Sequence, residues 1–134
     1  MGNNIAIKSQ AYVVEYNGER LAEATVFMRE WTDVVGDIKH YYIDIDTEFD
    51  GATVAMYTRD RLTFSNDDFN MFITLCKELR SNALLDRLYK DTNHQRMCSD
   101  LTTAESWFEK ACSMAFVGTQ TYSLVLRGLT YKAV

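Results

Sequence analysis

The chain has 134 residues, a net charge of −5 and a hydrophobic fraction of 47%. These values fit one folded domain, 1–134, large enough to bury a real core, and they exclude a mostly disordered chain. An acidic balance opposes sequence-independent nucleic-acid binding over the whole surface, which needs a basic excess to displace counterions. No apolar run approaches the ~20 residues that a membrane helix requires.

From the N-terminus, Met-Gly-Asn-Asn lacks the basic start and apolar stretch of a signal peptide. Residues Ile5 to Tyr16 are apolar and rich in strand formers, and Asn17-Gly18 is a strong two-residue hairpin signal. The register this turn sets places Glu15 opposite Arg20 and Val14 opposite Leu21, both favourable cross-strand pairs. Arg20 to Trp31 reads as the returning strand and Asp33 to Asp37 as a loop. Ile38 to Phe49 alternates strictly, Asp50-Gly51 reads as a second hairpin turn, and Ala52 to Thr63 as its returning strand.

Helical patterning follows. Ser65 and Asp68 have the spacing of a capping box, and Phe64 with Phe69 that of a hydrophobic staple. Phe69, Phe72, Ile73, Cys76 and Leu79 then form one apolar stripe, and Leu84, Leu85, Leu88 and Tyr89 continue it beyond Ser81-Asn82. Asp91 to Ser99 is a polar loop. Asp100 caps a last helix whose stripe runs from Leu101 through Trp107 and Phe108 to Ala115, and Gly118 occupies a C-cap position. Thr119 to Val134 reads as a long closing strand, with Gly128 marking a bulge or a close backbone approach. Strands followed by helices predict an α+β fold: an antiparallel sheet of about five strands packed against two or three helices.

The three cysteines, Cys76, Cys98 and Cys112, are odd in number and lack CxxC spacing, which points to free thiols and a cytoplasmic setting. Cys98 and His94 share a loop, yet sequence neighbours seldom form a nucleophile–base pair. No Gly-x-Ser-x-Gly elbow and no phosphate-binding glycine loop occurs. The pattern therefore predicts no catalytic residue, no cofactor and no metal. The absence of proline removes slow X-Pro isomerisation from folding, and such a composition is associated with small proteins of phages and mobile elements.

The most informative stretch is residues 40–50. In an extended strand Ile43, Ile45 and Phe49 face one way while Tyr42, Asp44, Asp46 and Glu48 face the other. Asp50 lies at the tip, and the second hairpin brings Tyr57 onto the acidic face. Its partners opposite the ladder, Thr53, Ala55 and Tyr57, offer no positive charge. Carboxylates so arranged form either a solvated outer sheet face that discourages edge aggregation or a docking surface for a basic partner. Tyrosine beside acidic groups suits a protein interface. The leading expectation is thus a non-enzymatic inhibitor or adaptor, using Tyr42, Asp44, Asp46, Glu48, Asp50 and Tyr57 to dock on a basic surface. The nucleic-acid-binding site of a defence or processing protein is one such surface, as in counter-defence by a phage.

The chain supports two other readings. Strands followed by the helix at Phe64-Ser65-Asn66-Asp67-Asp68 resemble in layout the Whirly-type single-strand binders, which implies a single-stranded nucleic-acid-binding protein. Lys77, Arg80, Arg87, Lys90 and Arg96 could then contact phosphate. Asp46-Thr47-Glu48-Phe49 resembles the first motif of DEDD-type exonucleases, although the later motifs depart in spacing. Together with Asp44 it frames a metal-dependent hydrolase as the third reading. An open sheet edge also allows a homodimer.

Overall fold

The computed structural model describes residues 2–33, 35–59, 65–80 and 83–134. Among them the chain forms four strands and four helices. β1 (Gly2–Tyr16), β2 (Glu19–Asp33) and β3 (Ile38–Phe49) form a meander. They are followed by α1 (Gly51–Arg59), α2 (Asn66–Arg80), α3 (Ala83–Asp91), α4 (Leu101–Ser123) and β4 (Leu129–Ala133). The sheet is antiparallel with order β3-β2-β1-β4, so the closing strand returns beside the first. The fold is α+β, as the order of elements predicts, with four strands in place of about five and four helices in place of two or three.

The first hairpin forms because Asn17 and Gly18 both accept positive φ, 52° and 81°, as a type I′ turn demands. Glu15 does face Arg20, but the register shifts at the next pair and Val14 faces Ala22. Leu21 is the extra residue. Its side chain is fully buried and its carbonyl accepts the Asp50 N–H at 3.0 Å, so the bulge ties this hairpin to the start of α1.

That start is where expectation and structure part. Asp50-Gly51 is a helix N-terminus, not a hairpin turn. The Asp50 carboxylate accepts the Thr53 N–H at 3.0 Å and its carbonyl accepts the Val54 N–H. Aspartate is a favoured residue at both a tight turn and an N-cap. Here the cap wins, because a helix lets Tyr57 bury against Tyr16 and Phe72. The expected strand from Ala52 is therefore helical as far as Arg59, and its remainder lies outside the described residues.

α2 opens as its sequence predicts, with the Ser65 hydroxyl accepting the Asp68 N–H at 3.2 Å. Phe64, the other half of the expected staple, lies outside the described residues. The Asp100 carboxylate caps α4 by accepting from the Thr103 N–H and hydroxyl, at 3.1 and 2.7 Å. α4 then runs through Gly118 to Ser123, so Gly118 is no C-cap and the closing strand has only five residues. Thr119 and Thr121 stay helical by donating their hydroxyls to the carbonyls of Ala115 and Val117 one turn back. Gly128 precedes β4 at φ 93°, and its carbonyl accepts the Asn17 N–H at 3.0 Å.

The core is one layer deep. Tyr12, Val14, Val26, Met28, Ile43 and Ile45 point from the sheet to the same side as Phe72, Leu88, Trp107, Phe108 and Ala111 of the helices. The helices cover that face of the sheet, and the outward positions of β1, β2 and β3 are partly or fully exposed.

Two consequences can be measured. A Cβ at Gly128 would lie 2.2 Å from the Asn17 Oδ1, on a backbone that L-residues avoid. Gly128→Ala should cost roughly 1–2 kcal/mol or more by urea unfolding, and adding Asn17→Gly should recover only the part due to the contact. The Thr53 N–H bonded to Asp50, and the Thr103 hydroxyl and N–H bonded to Asp100, hold both carboxyls below the usual carboxylate range. A lowered folded pKa means stability that is present above the ordinary value and lost as pH falls through the folded one. Urea midpoints should fall as pH drops below about 4. Replacing both residues by the neutral cap asparagine should flatten that dependence.

Candidate docking face

Period-two alternation sorts the residues of β3. Tyr41, Ile43 and Ile45 are buried under the helices, whereas Tyr42, Asp44, Asp46 and Glu48 stand on the open face. The predicted ladder is therefore present, but its strand neighbour is β2 rather than residues 52–63. Tyr42 faces Arg29, Asp44 faces Phe27, Asp46 faces Thr25 and Glu48 faces Glu23. That pairing supplies the positive charge the expected hairpin lacked. The Arg29 Nε lies 3.2 Å from Asp44, and its guanidinium reaches Asp46 at 3.6 Å. The guanidinium also lies 4.5 Å from the Phe27 ring centroid.

Asp44 has a second task. Its Oδ1 accepts the Ile45 N–H at 2.9 Å, along the outer edge of β3. The same edge is occupied at Tyr41, whose N–H and carbonyl pair with Cys98 at 2.7 and 3.0 Å. At Ile43 the carbonyl accepts the Tyr89 hydroxyl at 2.7 Å. An edge strand presents unpaired polar groups that invite another chain; here loop, helix and carboxylate take three successive inward positions. Burial, the larger cause, and the nearby Asp44 charge push the Tyr89 hydroxyl up in pKa, which keeps it a donor.

The ladder thus divides. Asp44 is half-buried and committed, Asp46 is 65% exposed, and Glu48 is exposed beside Glu23, which pairs with Arg20 at 2.9 Å. Two of the six residues expected to bind a partner are elsewhere. Asp50 is the α1 cap. Tyr57 is buried on α1, edge-to-face with Tyr16 at 4.9 Å, with its hydroxyl 3.3 Å from the Tyr16 carbonyl. Both corrections follow from the helix that replaces the second hairpin.

What sequence reading missed lies on β2 and the start of β3. Trp31 pairs with His40 and stacks on it, centroids 5.5 Å apart at 30°. They share the open face with Tyr42, whose hydroxyl accepts from the Asn4 amide. Across β1 the outward residues facing Arg29, Phe27 and Thr25 are Ala6, Ser9 and Ala11. These short side chains leave the aromatic and arginine row of β2 standing above its neighbour. The alternation of β2 carried this signal, but only the register with β3 makes it a row.

The basic residues do not join this face. Arg80 lies over the Phe49 ring at 4.4 Å and Arg96 over the Tyr89 ring at 5.0 Å, while Arg87 and Lys90 lie on α3, a separate helix from that of Lys77 and Arg80. Among the described residues no three His, Cys, Asp or Glu side chains are grouped so as to hold a metal ion. Burial pushes the Cys76, Cys98 and Cys112 thiols up, away from the thiolate form a nucleophile needs. Among the described residues no helix is long and apolar enough to cross a membrane. Comparison with protein-family models, curated proteins and solved structures gives no match for this chain.

The division of the ladder can be tested by stability alone. Arg29→Ala removes a partly buried cation that two carboxylates and a ring share, and should cost about 1 kcal/mol or more. Asp46→Asn, at an exposed end, should stay within about 0.5 kcal/mol. Equal effects in urea titrations would show that Arg29 does not organise the face.

Proposed function

We propose that the protein is a non-enzymatic binding module that docks through the open face of its sheet on a basic protein surface. The carrying observation is the face itself. It combines half-buried aromatic residues, Trp31, His40, Phe27 and Tyr42, with the exposed carboxylates of Asp46 and Glu48. Interfaces of this kind draw most of their affinity from a few aromatic anchors and their selectivity from charge around them. Asp44 and Arg29 act as the frame of the face; Asp46 and Glu48 meet the partner. A partner rich in arginine can pair with the carboxylates and stack on Trp31 or Tyr42. The phosphate-binding surface of a nucleic-acid-binding protein has that chemistry, which keeps an inhibitory role in view.

One observation favours the nucleic-acid reading as the runner-up: the Trp31–His40 stack and Tyr42 form an aromatic platform on a sheet, where unpaired bases can stack. The carboxylates beside it oppose phosphate. Charge reversal separates the two readings, because lysine at positions 46 and 48 opposes docking on a basic surface and favours contact with phosphate.

Binding is checked with one partner recovered by the unaltered chain and then measured against variants. Asp46→Lys with Glu48→Lys, and separately Trp31→Ala, should each weaken that complex at least about tenfold, a loss of ~1.4 kcal/mol. Circular dichroism should be unchanged. An affinity that both variants leave intact refutes the docking face. A gel shift with single-stranded DNA that survives the double charge reversal would replace the proposal by the nucleic-acid reading.

A further inference from the structure

On the helix side of the sheet, α2 and α4 diverge and leave a cleft that α3 closes at one end. Its outer part has a volume of about 720 Å3, with Met71, Met114, Val117 and Val125 among its walls. Through Gly118, Tyr122, Glu78 and Arg87 it joins a narrow inner recess of about 50 Å3 that reaches Tyr12, Ile45 and Leu84. Size and lining are those of a small-molecule site: mostly apolar, with a few polar groups converging.

Two further observations argue that the space is kept for an occupant. The first is Gly118. Glycine is the poorest helix former after proline, yet this one lies well inside a helix of 23 residues. Its φ is not positive, and a Cβ there would meet nothing within 4 Å. Neither backbone nor packing requires a glycine; what its missing side chain provides is room in the cleft. The second is Arg87. Lys110, at the same cleft, is held by Asp91 at 3.1 Å. Arg87 forms no ion pair with any described residue, and its guanidinium fork is free to accept a carboxylate. Glu78 shares the cleft and is engaged by the Tyr122 hydroxyl; burial and that hydrogen bond push Tyr122 up to about 12, so the phenol remains neutral.

We propose that this cleft binds a small molecule with an apolar body and one acid group, the body lying along Met114 and Gly118 and the acid on Arg87. The site is on the opposite side of the sheet from the docking face and does not depend on it.

The test uses the full chain with decanoate, its uncharged counterpart decanol, and the fluorescent apolar sulfonate anilinonaphthalene sulfonate. Decanoate should saturate a single site, displace the fluorophore and shift the methyl resonances of Met71 and Met114, leaving those of Met28, in the sheet, and Met97, in the loop, in place. Gly118→Leu places a side chain into the cleft from a Cβ position that meets no atom within 4 Å. It should raise Tm, because leucine is the better helix former, while weakening decanoate at least about tenfold. Arg87→Gln should weaken decanoate about tenfold and leave decanol unchanged, the expected size for one lost charge-assisted contact. No saturable binding to the unaltered chain, or binding indifferent to Gly118→Leu, overturns the site. Should that variant fold poorly, the methyl shifts in the unaltered chain decide: movement of Met97 without Met71 and Met114 overturns it equally. Equal loss of decanoate and decanol in Arg87→Gln overturns the acid's place on Arg87.

Discussion

The structure depends on a one-sided sheet. Helices cover only the inner face, so alternate residues from Tyr12 to Tyr16, Ala22 to Met28 and Tyr41 to Ile45 are committed to the core and those between them to an open surface. A one-residue slip would exchange the two sets along a whole strand. The register is held at several independent points. The Asn17-Gly18 turn and the Leu21 bulge fix β1 against β2. The Asp50 N–H on the Leu21 carbonyl fixes the end of β3 and the start of α1 together. On the open face, Arg29 bridges to Asp44 and Asp46 and fixes β2 against β3. The side chains displayed on that face are therefore a product of the same constraint that builds the core.

This explains why a carboxylate ladder is tolerated on one strand. Like charges along one strand repel, and in a solvated sheet the repulsion is small but not nil. One arginine on the neighbouring strand, lying on Phe27, offsets the pair nearest it. The same Asp44 that receives it also satisfies an N–H on the strand's outer edge. Asp44 is thus a structural residue of the ladder, and the charge less closely paired with a cation lies on Asp46 and Glu48, toward the end of the strand.

Most of the architecture was legible in the chain because it rests on local chemistry. The β3 span, the Asn17-Gly18 turn, the Ser65 opening of α2 and the Asp100 cap of α4 all follow from residues within a few positions of one another. Two misreadings share one cause: a local signal with two meanings. Asp50-Gly51 serves a tight turn or a helix start, and only the burial of Tyr57 against Tyr16, far away in sequence, decides between them. Val117-Gly118-Thr119 interrupts helical propensity, yet Thr119 is buried against the cleft and bonds back to Ala115, so tertiary contact carries the helix onward. Of the candidate face, the outward set on β3 was legible from alternation. The Arg29 bridge and the Trp31–His40 stack were not, because they belong to the pairing of two strands rather than to either one.

The two faces of the sheet divide the molecule's chemistry. Outward, rigid aromatic rings and a few exposed carboxylates rest on a sheet that has no need of them for its core. Removing them need not unfold the protein, which is what permits a surface to be shaped by binding. Inward, the core is closed where α4 crosses the strands and open where α2 stands apart from α4. Filling that opening would cost nothing in backbone geometry, since Gly118 accepts a Cβ and a larger residue would favour the helix. A vacancy that a single common substitution would fill, at a gain in helix stability, is hard to attribute to packing alone. Its retention beside an arginine without a carboxylate partner among the described residues ties the poorest residue of α4 to a purpose outside the fold.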